Sequence, residues 1–172
     1  MPSREYDKIP RQLYSEYEER PFQSCTRCGE MLAEIPEGYQ LFKLYRRGEA
    51  IYEYALCHPC HAGLLRDFSE ESRQRLAEFH AQRVSLNMGF RRCAVCGNDH
   101  AGDEEYSLTA ACQGTVLVHA LMICGPCRRE MQSLLSQHTR KVWDRFVNDN
   151  LSGLPGTSLT PAPVSPLELV PV

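Results

Sequence analysis

The sequence Cys25-Thr-Arg-Cys28 is the first of four Cys-x-x-Cys motifs, which together contain eight of the nine cysteines in the 172-residue chain. The first two motifs are separated by 28 residues and the last two by 27. This arrangement of cysteine pairs is typical of tetrahedral four-cysteine zinc sites. We therefore predict two structural sites for one Zn²⁺ ion each, with the ligands Cys25, Cys28, Cys57 and Cys60 in the first and Cys93, Cys96, Cys124 and Cys127 in the second.

The composition is that of a globular protein, with 42% apolar residues and a formal net charge of −3. The first eleven residues have no apolar core of the kind that a signal peptide needs, and the longest apolar stretch, 116–124, has the length of a strand. We therefore expect a soluble cytoplasmic protein with no membrane segment. In a reducing compartment, closely spaced cysteines more often bind metal than form disulfides.

The two halves of the chain repeat each other. A shift of 68 residues places Cys25 and Cys28 on Cys93 and Cys96, and a shift of 67 places Cys57 and Pro59 on Cys124 and Pro126. The second shift also matches the residues that follow each site, so the repeated unit is larger than its metal ligands. We predict an arm at 1–19, a first zinc-binding repeat at 20–84, a linker at 85–89, a second repeat at 90–150 and a tail at 151–172.

Each repeat has the same predicted order of elements. A glycine after the first cysteine pair, Gly29 or Gly97, suits the tight turn of a zinc knuckle. A β-hairpin follows, with strands at 39–45 and 50–56 in the first repeat and at 106–112 and 115–123 in the second. Proline is predicted at the first helical position, so that the last cysteine lies in the opening turn of a helix. Ser69 and Ser136 predict a break and a new helix N-terminus.

This order of knuckle, hairpin and helix resembles the treble-clef group of zinc fingers, and the resemblance covers both repeats. It implies an α+β fold in which two tandem treble-clef-like units pack as a pseudo-symmetric pair. It does not imply one activity, because treble clefs occur in DNA readers, ribosomal proteins, protein-docking modules and nucleases.

Other interpretations of these residues exist. Cys124-Gly-Pro-Cys127 has the sequence of a thioredoxin-like redox motif, which would make the protein a thiol-disulfide redox protein. His58 or His61 could replace a cysteine ligand, although the second repeat has Gly125 and Arg128 at the equivalent positions. Iron can also occupy four thiolates. The remaining cysteine, Cys112, lies in an apolar strand and is expected to be buried.

Nucleic-acid binding is the main alternative function. Residues 20–85 hold nine basic and nine acidic side chains, and residues 86–150 hold seven of each, so neither repeat is net basic. A nuclease would need a catalytic histidine beside the hairpin, and the candidates His100 and His119 lie in a polar loop and a strand. Small basic clusters occur at Lys43, Arg46 and Arg47, at Arg91 and Arg92, and at Arg128 and Arg129.

The two ends of the chain differ in character. The acidic N-terminal arm contains Ile9, Leu13, Tyr14 and Tyr17, so part of it is expected to pack on the body or on a partner. The C-terminal tail is rich in Pro, Ser, Thr and Gly and is predicted to be disordered.

These observations favour a non-enzymatic protein-interaction or adaptor module. Four thiolates around zinc leave no position for water or substrate, and balanced charge argues against a nucleic-acid footprint. We expect a protein partner and no small-molecule substrate.

Overall fold

The computed structural model describes residues 8–99 and 105–150. Within these residues, two short 3₁₀ turns, Arg11–Leu13 and Leu32–Glu34, precede a mixed arrangement of four strands and four helices. In chain order these elements are β1 (Tyr39–Arg46), β2 (Glu49–Cys57), α1 (His58–Asp67), α2 (Glu70–Arg83), β3 (Glu105–Gln113), β4 (Val116–Cys124), α3 (Gly125–Ser133) and α4 (Gln137–Asn150).

The four strands form one antiparallel sheet in the order β2-β1-β3-β4. Both predicted hairpins are present, β1 with β2 and β3 with β4. The sequence did not predict that the hairpins join through β1 and β3, which pair from Tyr39 opposite Cys112 to Arg46 opposite Glu105. The two repeats therefore share a sheet and its hydrogen bonds.

The register of β1 and β3 follows the sequence repeat. Phe42 lies opposite Thr109, the residue that the 67-residue shift places on Phe42. The register of each hairpin is also interrupted at matching points, between Leu44 and Tyr45 and between Ala111 and Cys112. Such irregularities add local twist to a strand. The pairing is therefore reciprocal, because each repeat presents the same positions to the other.

One face of the sheet packs against the helices through aromatic side chains. Phe42 stacks on Tyr54 with ring centroids 5.2 Å apart, and Tyr54 contacts Trp143 at 5.8 Å and Phe146 at 5.5 Å. Trp143 and Phe146 lie on α4, whereas Tyr54 lies on β2. A helix of the second repeat thus covers a strand of the first, and these large buried rings contribute much of the hydrophobic stabilisation.

The predicted helix breaks bring four hydroxyl groups together. Ser69 is the N-cap of α2, where its Oγ accepts a hydrogen bond from the Ser72 N–H at 3.1 Å. The Ser69 N–H donates to Thr139 Oγ1 at 2.9 Å, and the Ser136 N–H donates to Ser72 Oγ at 2.8 Å. Ser69 Oγ and Ser136 Oγ lie 2.8 Å apart. Each repeat therefore satisfies a backbone donor at the helix break of the other.

We expect the substitution Thr139→Val to lower the free energy of unfolding by about 1–2 kcal/mol, because it leaves the partly buried Ser69 N–H without its acceptor. Urea unfolding with zinc present measures the change. The control Ser133→Ala removes an exposed hydroxyl that bonds only the nearby Glu130 carbonyl, and should change stability by less than about 0.5 kcal/mol. Equal effects of the two substitutions would contradict this role for Thr139.

The N-terminal arm crosses the opposite face of the sheet. Lys8 forms a β-bridge with Val116 at one edge, and Leu13 is fully buried. Further along, the arm meets a buried pair, Lys43 and Glu53. The Lys43 Nζ donates to the carbonyl oxygens of Gln12 at 3.2 Å and of Tyr14 at 2.6 Å, and to Glu16 Oε1 at 2.8 Å.

Glu53 completes this attachment from the neighbouring strand. Its carboxylate accepts hydrogen bonds from the Ser15 hydroxyl at 2.6 Å and from the Glu16 N–H at 3.0 and 3.1 Å, and it lies 3.9 Å from the Lys43 Nζ. Buried charges are tolerated when they are paired and hydrogen-bonded in this way. Residues 8–19 of the arm therefore pack on the folded body, which confirms the expectation that part of the arm does so.

Two sequence expectations need correction. Lys43 was assigned to an exposed basic cluster, but it is fully buried because the arm covers it. Pro59 and Pro126 occupy the second rather than the first helical position, because α1 begins at His58 and α3 at Gly125. The proline still falls within the first turn, where a missing N–H leaves no helical hydrogen bond unmade. Residues 1–7 and the tail predicted to be disordered lie outside the described residues.

The described helices are short. The longest have 14 residues. Across residues 8–99 and 105–150, no helix combines the length and the apolar character that crossing a membrane requires.

We expect Glu53→Ala to lower the free energy of unfolding by about 2–4 kcal/mol, because it removes the acceptor of three arm hydrogen bonds and leaves the Lys43 ammonium with fewer partners. The arm should also become more accessible to trypsin at Lys8 and Arg11. Urea unfolding and limited proteolysis followed by mass spectrometry measure the two effects.

The matched control is Glu49→Ala, which removes an exposed carboxylate from the same strand. It should leave both readouts close to wild type. A Glu53→Ala protein with the stability and cleavage rate of this control would show that the buried pair does not hold the arm.

Candidate metal centres

The first cysteine pair lies in a tight turn between the arm and β1. The Cys25 N–H donates to the Glu30 carbonyl at 2.8 Å, and the Gly29 N–H donates to the Cys25 carbonyl at 2.9 Å. Gly29 has φ +78°, a conformation that an L side chain disfavours, which explains the glycine at this position. The turn directs Cys25 inward, where it is buried, and leaves Cys28 exposed.

The second cysteine pair lies where a strand meets a helix. Cys57 is the last residue of β2, and Cys60 is the third residue of α1. The knuckle is fastened to the same strand, because the Thr26 N–H donates to the Ala55 carbonyl at 2.7 Å and the Ala55 N–H donates to Thr26 Oγ1 at 3.1 Å. The two halves of the first site are therefore held together by backbone hydrogen bonds near the sulfurs.

The second site is built in the same way. The Cys93 N–H donates to the Asn98 carbonyl at 3.0 Å, and the Gly97 N–H donates to the Cys93 carbonyl at 2.9 Å. The Ala94 N–H donates to the Met122 carbonyl at 2.8 Å, which fastens this knuckle to β4. Cys124 ends β4, and Cys127 is the third residue of α3. The repeat detected in the sequence thus extends to the backbone hydrogen bonds around each site.

The structure brings both predicted quartets together. In each, the four Sγ atoms lie within 4.8 Å of one another. Cys28 and Cys57 have their sulfurs 3.8 Å apart, as do Cys96 and Cys124. A tetrahedral ion with bonds of about 2.3 Å to sulfur places its ligands about 3.8 Å apart. All nine cysteines are free, so each quartet can hold a metal ion, and four sulfur ligands are a donor set typical of zinc.

Burial and hydrogen bonding shift the pKa values of thiols within one quartet in opposite directions. Burial opposes ionisation of Cys25, but the N–H groups of Cys28, Cys57 and Arg27 outweigh it and lower its pKa to about 7. The pKa of Cys93 is lowered for the same reason. Burial raises the pKa of Cys57 and of Cys60, and neighbouring thiols raise that of Cys60 further. In the metal-free quartet, Cys57 and Cys60 are therefore protonated at neutral pH.

The redox interpretation of Cys124 and Cys127 is not favoured by this geometry. A catalytic dithiol needs one thiol of low pKa. Burial raises the pKa of Cys124 to about 11, and burial together with neighbouring thiols raises that of Cys127. Both sulfurs also belong to a quartet with Cys93 and Cys96.

The other candidate residues lie apart from the quartets. His58 is exposed at the start of α1 and His61 is buried in it, and neither belongs to a cluster able to hold a metal among the described residues. Cys112 is buried as expected, and burial raises the pKa of its thiol to about 11. His119 is exposed on β4, and His100 lies outside the described residues.

One residue beside the second site was missed by sequence reasoning. Arg128 follows the ligand position Cys127 and is only 1% exposed. Its Nη1 donates to Glu105 Oε1 at 2.5 Å, and its guanidinium lies 5.8 Å from the centre of the Phe42 ring. No sequence signal distinguished it from the exposed Arg129, because its contact with Phe42 depends on the pairing of β1 with β3. Arg128 therefore joins the second site to the shared core.

Comparisons with protein-family models, curated proteins and solved structures gave no significant match.

We expect zinc binding to release roughly three protons or more per site at pH 7, because every ligand must become a thiolate and burial raises the pKa of two ligands in each quartet. Zinc affinity should therefore fall steeply as the pH falls. Calorimetry in two buffers of different ionisation enthalpy counts the protons. Cys112→Ser should leave the count unchanged, and binding without proton release would contradict thiolate ligation.

Proposed function

We propose that the protein is a non-enzymatic zinc protein with two structural four-cysteine sites and that it acts as a protein-interaction or adaptor module. The observation that carries the proposal is the convergence of both quartets at distances suited to one tetrahedral ion each. Four thiolates close the coordination shell of zinc, so neither ion would have an open position for water or substrate. In this proposal the metal stabilises the fold and performs no chemistry.

The proposal includes two treble-clef-like units related by a pseudo-two-fold axis. Each unit has a knuckle, a hairpin that ends at the third ligand, and a helix that carries the fourth in its first turn. The axis would pass near Phe42 and Thr109, which lie opposite each other and are equivalent in the repeat. The reciprocal hydrogen bonds of the Ser69 and Ser136 N–H groups support the same axis. Such isologous contacts are those of a symmetric dimer.

The charges of the described residues favour a protein partner over a nucleic acid. In the basic cluster at the first hairpin, Lys43 is buried and Arg46 pairs with Glu105 at 3.0 Å. In the cluster after the last ligand, Arg128 is buried against the same carboxylate. Phosphate binding needs accessible basic side chains, and folding buries one member of each of these two clusters and pairs Arg46 with a carboxylate.

Free thiols at all nine cysteines are consistent with a reducing compartment, and we place the protein in the cytoplasm. Zinc rather than iron is proposed as the metal, since a closed four-thiolate site needs no redox activity to stabilise a small fold.

We expect the purified protein to contain two zinc ions per chain and to leave the mobility of mixed DNA and RNA unchanged at low and moderate salt. Elemental analysis and an electrophoretic mobility-shift assay measure these outcomes. Nucleic-acid binding would appear as a shift at low salt that weakens steeply as salt rises, because phosphate contacts release counterions. Such a shift would overturn the adaptor proposal but not the metal sites.

A capture experiment tests the partner directly. The tagged full chain should retain a discrete protein from native lysate after nuclease treatment, and a chelator-treated sample of the same protein should lose it, because the fold depends on the metal. Loss of all captured protein upon nuclease treatment would instead favour the nucleic-acid function.

A further inference from the structure

We propose that Cys28 and Cys96 are the sites at which soft alkylating electrophiles modify the two metal centres. This inference rests on the proposed zinc occupancy of both quartets. It assigns a chemical property to one cysteine in each quartet. Access to solvent distinguishes that cysteine from its three neighbours, and hydrogen bonding distinguishes it from the first cysteine of its knuckle.

Solvent exposure is the first difference between the cysteines of each quartet. Cys28 and Cys96 are the exposed members of their quartets, whereas Cys25, Cys57, Cys93, Cys124 and Cys127 are buried and Cys60 is intermediate. Both exposed residues occupy the same position in the repeat, at the end of the knuckle. An electrophile from solvent therefore reaches these residues without unfolding of the sheet or the helices.

Hydrogen bonding is a second difference, between the first and the second cysteine of each knuckle. The Cys25 Sγ accepts from the Cys57 N–H at 3.4 Å, and the Cys93 Sγ accepts from the N–H groups of Val95 and Cys124, each at 3.4 Å. Such bonds draw electron density from a thiolate and make it less reactive. Within residues 8–99 and 105–150, no N–H group donates a hydrogen bond to the sulfur of Cys28 or Cys96, whose sulfur contacts are with Cys57 and Cys124.

Zinc leaves such a sulfur nucleophilic, because four thiolates give the centre a net charge of −2 and bound sulfur is already deprotonated. With iodoacetamide as the electrophile, the Cys28 sulfur forms a bond to the methylene carbon. The carbon–iodine bond breaks, and iodide leaves with the bonding electrons. The product is a neutral thioether, so the charge of the centre changes from −2 to −1 and no oxidant or proton is consumed.

Modification at this position should loosen the knuckle rather than the strand. A thioether binds zinc more weakly than a thiolate, and the alkylated residue is at the exposed end of the turn. Cys25 would stay fastened through Glu30, and Thr26 through Ala55. We therefore expect zinc to be released from an alkylated site while the hairpin stays paired.

The test uses the full chain loaded with zinc, and its metal content is measured first. A protein with no zinc would fail the proposed function and is distinguished at this step from a failure of the inference. The loaded protein is then treated with less than one equivalent of iodoacetamide, quenched, digested and analysed by mass spectrometry. Trypsin cleaves after Arg27 and so separates Cys25 from Cys28, while fragmentation resolves Cys93 from Cys96.

We expect Cys28 and Cys96 to react at least about tenfold faster than the other six quartet cysteines, because those six are less exposed and N–H groups also hydrogen-bond the sulfurs of Cys25 and Cys93. A chromogenic chelator should report zinc release in step with the label. Chelator-treated, denatured protein should lose this selectivity, and buried Cys112 should gain label in that sample alone.

Two cysteine variants serve as controls for the labelling pattern. Cys112→Ser should leave the pattern unchanged, and Cys28→Ser should leave the labelling rate of Cys96 unchanged. Early label spread evenly over the four cysteines of a loaded quartet, or found first on Cys60 or Cys127, would overturn the inference. Label without loss of zinc would overturn the expected loosening of the knuckle.

Discussion

The pairing of β1 with β3 is the contact on which the rest of the structure depends. A single repeat of about sixty residues buries too little apolar surface to be more than marginally stable by itself. The pairing turns two separate hairpins into one four-stranded sheet and so creates a face wide enough for helices from both repeats. It also sets the distance between the helix breaks, where Ser69 and Ser136 meet. The metal-binding quartets lie at the outer strands of this shared sheet.

The two repeats differ mainly on the face that the arm covers. In the first repeat, Lys43 lies opposite Glu53, and both bind the arm. The 67-residue shift places these residues on Ala110 and Ala120, which lie opposite each other in the second hairpin. Small apolar side chains need no polar partner, whereas a buried ion pair needs the additional hydrogen bonds that the arm supplies. Lys43 and Glu53 therefore determine that the polar part of the arm binds to the first repeat and not to the second.

The sequence predicted features that depend on local residues. The ligand spacing predicted the composition of both quartets, and the strand propensities and Ser69 predicted the hairpins and the helix breaks. The contacts between repeats were not predictable in this way. Lys43 resembled part of an exposed basic cluster, because its burial depends on an arm that is distant in sequence. Arg128 bonds Glu105 of its own repeat, but the pairing of β1 with β3 brings Phe42 over its guanidinium, and the first repeat has His61 at the equivalent position.

In each knuckle the first cysteine is buried and the second is exposed to solvent, and the geometry of the turn explains this difference. Its first cysteine must face inward, because its backbone closes the turn and its sulfur accepts N–H groups from the strand end. The turn reverses the chain within four residues, so the second cysteine joins the same quartet from the solvent side. A more deeply buried site would need a longer chain segment to cover this side. A small protein has few residues available to cover the solvent side of the site. One cysteine of a quartet at the edge of a small sheet is therefore exposed.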